Sequence, residues 1–110
     1  MARANEDKYF VQAGDLSSDY ESKSIDVYYL RGFSIDVNIT GSPVGLLYIQ
    51  VRNNTEHDWL TVYDSECEID GSQNVTYNFS PAEFRYFRLK YFVTSGSGTM
   101  NAKYIGKGPG

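Results

Sequence analysis

Cysteine, histidine and tryptophan each occur only once in this chain of 110 residues. A single cysteine cannot form an intrachain disulfide bond, which excludes the small domains that are held together by several such bonds. One histidine and one cysteine are too few for the three or four ligands of a transition-metal site. No apolar run approaches the roughly 20 residues of a membrane-spanning helix, so we expect no association with a membrane.

The N-terminal residues contain no apolar stretch of about 7–15 residues after a basic one, so no secretory signal peptide is predicted. We therefore expect the protein to be made and to remain soluble in a cytoplasm. Four Asn-X-Ser/Thr sequences, at Asn38, Asn53, Asn74 and Asn78, match the glycosylation pattern. Without a signal peptide, we interpret these asparagines as residues of turns and strand faces.

Acidic residues outnumber basic ones, 14 to 10, and a net charge of −4 argues against a nucleic-acid partner. The charge is also unevenly distributed. Residues 1–70 hold five basic and thirteen acidic side chains, whereas residues 71–110 hold five basic and one acidic. Pairing of opposite charges across neighbouring strands would account for this asymmetry. The alternative is head-to-tail association between copies or with a larger assembly.

From residue 25 onward, apolar and polar residues alternate with the period of β-strands, and no stretch has the apolar spacing of a helix. The longest predicted strand covers residues 85–93. Residues 95–98 are predicted to form a hairpin loop that pairs this strand with the next one. The predicted inward-facing residues are Ile25, Val27, Tyr29, Phe33, Ile35, Val37, Ile39, Leu47, Ile49, Val51, Phe87, Leu89, Tyr91, Val93, Met100, Ala102 and Tyr104.

About seven such strands predict an all-β fold, an antiparallel β-sandwich of the jelly-roll or immunoglobulin-like kind, with an open barrel as the alternative. The length suits one domain. We place the sandwich at residues 25–105, between an extended, polar N-terminal arm at 1–24 and a glycine-rich C-terminal tail at 106–110. The arm is either disordered or becomes ordered on a neighbouring subunit, anchored by Tyr9 and Phe10.

The chain has few groups for catalysis, and we predict neither an enzyme nor a cofactor. His57 lies in a polar loop, and Cys67 lies between Glu66 and Glu68, whose carboxylates disfavour the thiolate that a nucleophile needs. Alternating carboxylates at residues 64, 66, 68 and 70 resemble the oxygen ligands of calcium, but the EF-hand spacing is missing. We interpret them as a solvated acidic edge strand, without a metal site.

Tyr86, Arg88, Lys90 and Phe92 should form an outward-facing row on the longest strand. Aromatic and basic side chains in such a row are typical of protein interfaces. They also suit stacking on sugars or on single-stranded nucleic acid. Alternatively, the row is covered by the N-terminal arm or belongs to a core. The candidate partner-binding residues are Tyr9, Phe10, Tyr86, Arg88, Lys90 and Phe92.

Several motifs resemble a known group of proteins. Residues 45–51 (GLLYIQV) lead through Asn53-Asn54 to residues 59–62 (WLTV), and YFRLKY at 86–91 and SGSGTMNA at 95–102 follow, with GKG at 106–108. Over residues 25–108 they resemble small β-sandwich proteins of tailed bacteriophages. Within that group, the size and arms resemble capsid decoration proteins, also called cement or staple proteins.

The resemblance implies a non-enzymatic virion protein on the outer capsid surface, made in the host cytoplasm, that holds neighbouring major-capsid subunits together. The implied partners are the major capsid protein and further copies of the chain, as a homodimer or another small oligomer. The alternative is a carbohydrate-binding module of a phage fibre or tail, with a sugar stacked on Trp59 beside Asp58, Asn53 and Asn54. A Trp59 buried between two sheets, the more ordinary place for a tryptophan, would exclude that sugar site.

Overall fold

The computed structural model describes residues 5–27, 30–79 and 84–107, and all regular structure in them is β-strand. This confirms the all-β prediction. The described residues form ten strands, more than the roughly seven predicted. They are β1 (Asn5–Asp15), β2 (Tyr20–Glu21), β3 (Ile25–Asp26), β4 (Gly32–Gly41), β5 (Val44–Arg52), β6 (Leu60–Thr61), β7 (Cys67–Asp70), β8 (Gln73–Phe79), β9 (Tyr86–Ser95) and β10 (Gly98–Lys107). The number is higher because β1 and β2 lie in the predicted arm and β7 follows β6 after an interruption.

The strands form two antiparallel sheets. The four-stranded sheet has the order β1-β10-β4-β8, and the six-stranded sheet has the order β2-β9-β5-β6, with β3 also paired to β9 and β7 also paired to β5. Between β2 and β3, the Ser22 amide donates to the Leu89 carbonyl at 2.9 Å. Between β6 and β7, the Val62 amide donates to the Ile49 carbonyl, also at 2.9 Å. Each of these pairs therefore continues one edge of the sheet.

The pairing is nested: β1 pairs with β10, β2 and β3 with β9, β4 with β8, and β5 with β6 and β7. This is the order of one long hairpin folded over on itself, which is the jelly-roll topology. The strand order therefore shows that the sandwich is of the jelly-roll type, one of the two types predicted.

The core lies between the sheets, and it contains the predicted inward-facing residues with few exceptions. Val51 and Val93 are only half-buried, and Tyr29 lies outside the described residues. Phe33 stacks on Phe87 across the two sheets, with ring centroids 4.9 Å apart. The buried apolar residues are Phe10, Val11, Leu16, Ile25, Val27, Leu30, Phe33, Ile35, Val37, Ile39, Leu47, Ile49, Ile69, Phe87, Leu89, Tyr91, Met100, Ala102 and Tyr104.

The structure differs from the prediction of an N-terminal arm outside the sandwich. Residues 5–15 form β1, which pairs with β10, and Phe10 and Val11 lie in the core. The sequence pattern did not predict this strand, because its register shifts twice, between Tyr9 and Val11 and between Val11 and Gly14. Such bulges interrupt the strict alternation by which strands are recognised. Residues 1–4 lie outside the described residues.

The two segments that flank the predicted sandwich also belong to the sheets. Residues 20–26 contribute β2 and β3, and β10 continues through Gly106 to Lys107. The predicted C-terminal tail therefore begins later than residue 106, and residues 108–110 lie outside the described residues. β2 and β3 form one edge of the six-stranded sheet, whereas β10 lies between β1 and β4.

The predicted hairpin at residues 95–98 is a corner between the sheets. β9 belongs to the six-stranded sheet, whereas β10 pairs with β1 and β4 in the other sheet. The corner packs beside the β4–β5 connection, where the Ser42 amide donates to the Ser97 carbonyl at 2.9 Å. Gly96 has a φ of +75°, and a Cβ there would overlap the Ser42 carbonyl oxygen. A glycine-rich turn predicts a change of direction, but it does not say which sheet the chain enters next.

Ser22 holds the interruption between β2 and β3 in place. Its side chain is buried, and its hydroxyl accepts a hydrogen bond from the Leu89 amide at 2.9 Å. The same hydroxyl donates to the Lys23 carbonyl at 2.9 Å. One serine therefore satisfies an amide of the central strand β9 at the point where β2 no longer runs beside it.

We predict that Ser22→Ala lowers the free energy of unfolding by about 1–3 kcal/mol, because it leaves the buried Leu89 amide without its acceptor. Chemical denaturation with circular dichroism or fluorescence detection measures this. The matched control is Ser24→Ala, which changes an exposed serine two residues away and should cost less than about 0.5 kcal/mol. Equal effects of the two substitutions would contradict the role given to Ser22.

Candidate functional site

The row Tyr86, Arg88, Lys90 and Phe92 lies on the outer face of the six-stranded sheet, as predicted. Its cross-strand neighbours come from β5, and the pairs on this face alternate along the two strands. The strand β1 does not cover the row, because β1 belongs to the other sheet. We call this surface the β5–β9 face; its residues are Leu46, Tyr48, Gln50, Arg52, Tyr86, Arg88, Lys90 and Phe92.

Two cations of the β5–β9 face, Arg88 and Lys90, are already paired with an acid. The Glu21 carboxylate contacts Arg88 Nη1 at 2.9 Å and Lys90 Nζ at 3.2 Å. Arg88 Nε also donates to the Gln50 side-chain oxygen at 2.8 Å. The Arg88 side chain is only 18% exposed. Arg88 therefore holds Glu21 and Gln50 in place, and its charge is already paired with an acid of the same chain.

These ion pairs explain part of the charge asymmetry along the sequence. Arg85 contacts the Asp26 carboxylate at 3.3 Å, in addition to the two contacts of Glu21. In each case, a basic residue of β9 or its start meets an acid of β2 or β3. Cross-strand pairing of the basic end of the chain with its acidic start is thus present at this edge. Exposed pairs of this kind contribute at most about 1 kcal/mol each.

Trp59 lies beside the β5–β9 face, in the segment that joins β5 to β6. Its side chain is half-buried and is not part of the core between the sheets, so the expectation of a core tryptophan is wrong. The guanidinium carbons of Arg52 and Arg88 lie 4.3 Å and 4.5 Å from the ring centroid. Burial therefore does not exclude the sugar site predicted here, but two cation–π contacts already occupy space over the ring that a sugar would use.

The exposed apolar part of the β5–β9 face lies at its other end. Phe92 is 55% exposed, and it pairs across the strands with the half-buried Leu46. The exposed acids of β7 border this end, because Glu68 pairs with Leu46 on the opposite side of β5. The result is an aromatic and aliphatic patch with charged groups at its rim, a composition shared by protein–protein interfaces.

The structure separates the two residues that were expected to anchor the arm. Phe10 is buried and contacts Phe87 edge to face, with ring centroids 5.3 Å apart. The prediction that Phe10 contacts a partner is therefore wrong, because the sandwich core needs its ring. Tyr9 is 56% exposed, but it lies on the outer face of the four-stranded sheet. Tyr9 and the β5–β9 face thus do not form one site.

A second surface was not predicted. The outer face of the four-stranded sheet contains an open groove of about 660 Å³, beginning at Tyr9 and crossing β1, β10, β4 and β8. Asp36, Asn38, Asn101 and Lys103 stood at outward positions of predicted strands, whereas Tyr9 lay in the predicted arm; their convergence depends on a pairing that the sequence pattern does not reveal. We call it the amide groove; the residues that define it are Tyr9, Asp36, Asn38, Asn74, Asn101 and Lys103.

The two possible catalytic groups, His57 and Cys67, lie in separate segments of the described chain. His57 is exposed in the loop after β5, and Cys67 is half-buried in β7. Burial raises the pKa of the Tyr77 and Tyr91 hydroxyls. The Tyr77 hydroxyl donates a hydrogen bond to the Ser65 carbonyl at 2.7 Å, and this is a structural contact.

Two absences hold for the part of the chain that the structure describes. It contains no cluster of three or more His, Cys, Asp or Glu side chains placed to hold a metal ion. It also contains no helix that is long and apolar enough to cross a membrane. The carboxylates of β7 and the residues before it point outward along a sheet edge, with Glu66, Glu68 and Asp70 exposed.

No protein-family model and no curated protein matches the chain by sequence. Several solved structures share its fold. The SPBc2 prophage-derived protein YomS has a TM-score of 0.63 at 13% identity, over 96% of this chain and 97% of that one. The PBSX exported protein XepA has a TM-score of 0.63 at 14% identity, over 96% of this chain and 37% of that one.

A third similar structure is an enzyme. A Ruminococcus gnavus GH29 fucosidase in complex with fucose has a TM-score of 0.56 at 15% identity, over 91% of this chain and 20% of that one. The chain thus spans nearly all of YomS, but only about a third of XepA and a fifth of the fucosidase. At these identities the likeness concerns the β-sandwich fold alone.

We predict that Arg52→Ala and Arg88→Ala each increase the quenching of Trp59 fluorescence by acrylamide, because each removes a guanidinium that covers the ring. Trp59 is the only tryptophan, so the signal comes from this position alone. Each loss should also lower the free energy of unfolding by about 0.5–2 kcal/mol. Arg85→Ala is the control, since Arg85 lies over Tyr86 and not over Trp59. Quenching that stays at the parent value in both variants would contradict this arrangement.

Proposed function

We propose that the chain is a non-enzymatic virion protein that binds the outside of a phage capsid and holds neighbouring major-capsid subunits together. The observation that carries the proposal is the β5–β9 face. There, the exposed Phe92 and the half-buried Leu46 form an apolar patch beside ordered ion pairs. The motif resemblance to decoration proteins supports the same assignment. So does the shared fold and length with a prophage-derived protein.

The β5–β9 face has the organisation that an interface with a rigid shell requires. Its central side chains are held by Glu21, Gln50 and Trp59, so that binding costs little side-chain ordering. The Phe92 ring is exposed at the edge of this ordered region. Burying such a ring in a partner's pocket contributes about 1.5–3 kcal/mol. Many copies on one shell would turn modest individual contacts into a strong combined stabilisation.

We propose further that copies of the chain associate as a homodimer or another small oligomer. At the edge of the six-stranded sheet, Glu21 and Asp26 lie beside Lys90 and Arg85, and a twofold axis through this edge would let two copies exchange these ion pairs, with the acids of one copy opposite the bases of the other. Sedimentation velocity of the purified chain at low and high salt measures this. A species that remains monomeric at all concentrations and salt levels would contradict it.

The alternative function is a carbohydrate-binding module of a phage fibre or tail. The shared fold with part of a fucosidase supports this alternative, and the half-buried Trp59 is accessible enough to contact a sugar. At Trp59 itself, however, the guanidinium groups of Arg52 and Arg88 compete with a stacked sugar. We therefore place capsid binding first for this side of the molecule.

The proposal predicts that Phe92→Asp weakens binding to shells at least about tenfold, because a buried ring is replaced by a charge. The measurement is co-sedimentation of the purified chain with shells of the phage that encodes it, prepared without the chain. Tyr63→Asp is the matched control, since Tyr63 is 88% exposed and follows β6, outside the two strands that form the β5–β9 face. A parent chain that does not sediment would refute capsid binding. A Phe92→Asp chain that binds like the parent would refute this face as the contact.

A further inference from the structure

The amide groove lies on the sheet opposite the β5–β9 face, and it presents an ordered row of side-chain amides. In the strand register, Asn101 of β10, Asn38 of β4 and Asn74 of β8 lie side by side. Neighbouring strands are about 4.8 Å apart, so the three amides form a continuous polar line across the sheet. Asn38 Nδ2 donates to Asn74 Oδ1 at 2.7 Å, which fixes the orientation of both groups.

The hydrogen bonds within this row leave some of its side-chain donors and acceptors available to a ligand. Each asparagine side chain offers two donors and an acceptor. Within the described part of the chain, no group bonds to Asn38 Oδ1, Asn74 Nδ2 or Asn101 Nδ2. The row thus presents fixed donors and a fixed acceptor to solvent. Hydroxyl groups, which both donate and accept, are the ligands that match such a mixture.

A second row of the groove adds an aromatic ring and a balanced pair of charges. Tyr9, Lys103, Asp36 and Thr76 lie side by side in register on β1, β10, β4 and β8. The Lys103 ammonium lies 5.7 Å from the Tyr9 ring centroid, and Thr76 donates to the Asp36 carboxylate at 3.2 Å. Tyr9 is therefore held as a largely exposed ring at the end of the polar rows.

The backbone beside the groove is held in an unusual conformation. Ala13 has a φ of 53°, in the left-handed region that a residue with a Cβ rarely adopts. Its amide donates to Asn101 Oδ1 at 2.9 Å, so an asparagine of the groove supports this conformation. The bulges of β1 on either side of Val11 carry Tyr9 and Ala13 to the groove. Bulges often redirect side chains toward functional surfaces.

From this arrangement, we propose that the amide groove binds a neutral oligosaccharide. Its volume of about 660 Å³ is within the range of small-molecule sites. Amides and a carboxylate suit the hydroxyl groups of a sugar, and the Tyr9 ring suits the apolar face of a pyranose. Among the described residues, Lys103 is the one cation lining the groove and it lies beside Asp36, whereas a phosphate-bearing ligand would need more positive charge. A protein partner would need an exposed apolar centre, and the side chains of these two rows are polar apart from the Tyr9 ring at one end.

The inference is independent of capsid binding, because the two surfaces lie on opposite sheets. A single chain could therefore contact a shell through the β5–β9 face and a surface polysaccharide through the amide groove. Two of the four Asn-X-Ser/Thr asparagines, Asn38 and Asn74, belong to this row of amides.

The test is a titration of the nitrogen-15-labelled full chain with short neutral gluco-, manno-, galacto- and fuco-oligosaccharides, followed by NMR. We expect saturable shifts of the Asn38, Asn74 and Asn101 side-chain amide signals with at least one of these sugars. Tyr9→Ala should weaken that binding roughly tenfold, and Tyr9→Phe should retain it, because the ring and not the hydroxyl makes the contact.

Two controls separate ligand binding from effects on folding. Asn74→Asp keeps the size of the side chain, but it replaces a donor by a charged acceptor, and it should weaken binding while the thermal transition changes little. Tyr63→Ala removes an exposed ring elsewhere and should bind like the parent. No saturable shift with any of the four sugar classes, or equal binding by Tyr9→Ala and the parent, would overturn the proposal. Saturation by a phosphorylated sugar alone would overturn it as well.

Discussion

Phe87 packs against aromatic rings of three strands from the opposite sheet, and the arrangement of the molecule depends on this contact. Phe33 stacks on it at 4.9 Å, Phe10 meets it edge to face at 5.3 Å, and Tyr104 lies at 6.1 Å. These rings come from β4, β1 and β10, so one side chain of β9 joins the two sheets. Aromatic packing of this kind contributes both large apolar burial and a preferred geometry.

Burial of these rings determines which residues face outward. Successive side chains of a strand point to opposite faces, so placing Phe87, Leu89 and Tyr91 in the core turns Arg88 and Lys90 to solvent. The same rule on β4 and β10 produces the rows of the amide groove. The two candidate surfaces are therefore consequences of one core, on opposite sides of it, and each is built on regular strands that hold its side chains in place.

The two surfaces differ in the chemical groups that they expose to a ligand. On the β5–β9 face, Glu21 pairs with both Arg88 and Lys90, and the exposed apolar group is the ring of Phe92. That combination suits a protein surface. On the amide groove, the exposed groups are hydrogen-bonding amides with one tyrosine at the end, which suits hydroxyl groups. The pairing of charges within the sheet also explains why a sequence with unlike halves need not associate head to tail.

The alternation of residues was sufficient to predict the strands of the core, because burial of one face imposes a period of two. Phe33, Ile39 and Leu89 lie inside as expected. The pattern was insufficient for β1, since the bulges beside Val11 place two consecutive apolar residues in the core. The pattern did not place Trp59, and the core position that is ordinary for a tryptophan is not the one it takes, because two arginines of the outer face hold its ring.

The amino-acid sequence by itself determined that this chain forms a single β-domain, which residues of its central strands are buried, and that Tyr86, Arg88, Lys90 and Phe92 share one outer face. These properties follow from local periodicity. Only the tertiary structure decided that the corner at residues 95–98 leads into the other sheet, that residues 5–15 complete that sheet, and that three distant asparagines meet in one groove. Those properties depend on pairing between strands far apart in the chain, and a local pattern contains no record of which strands become neighbours.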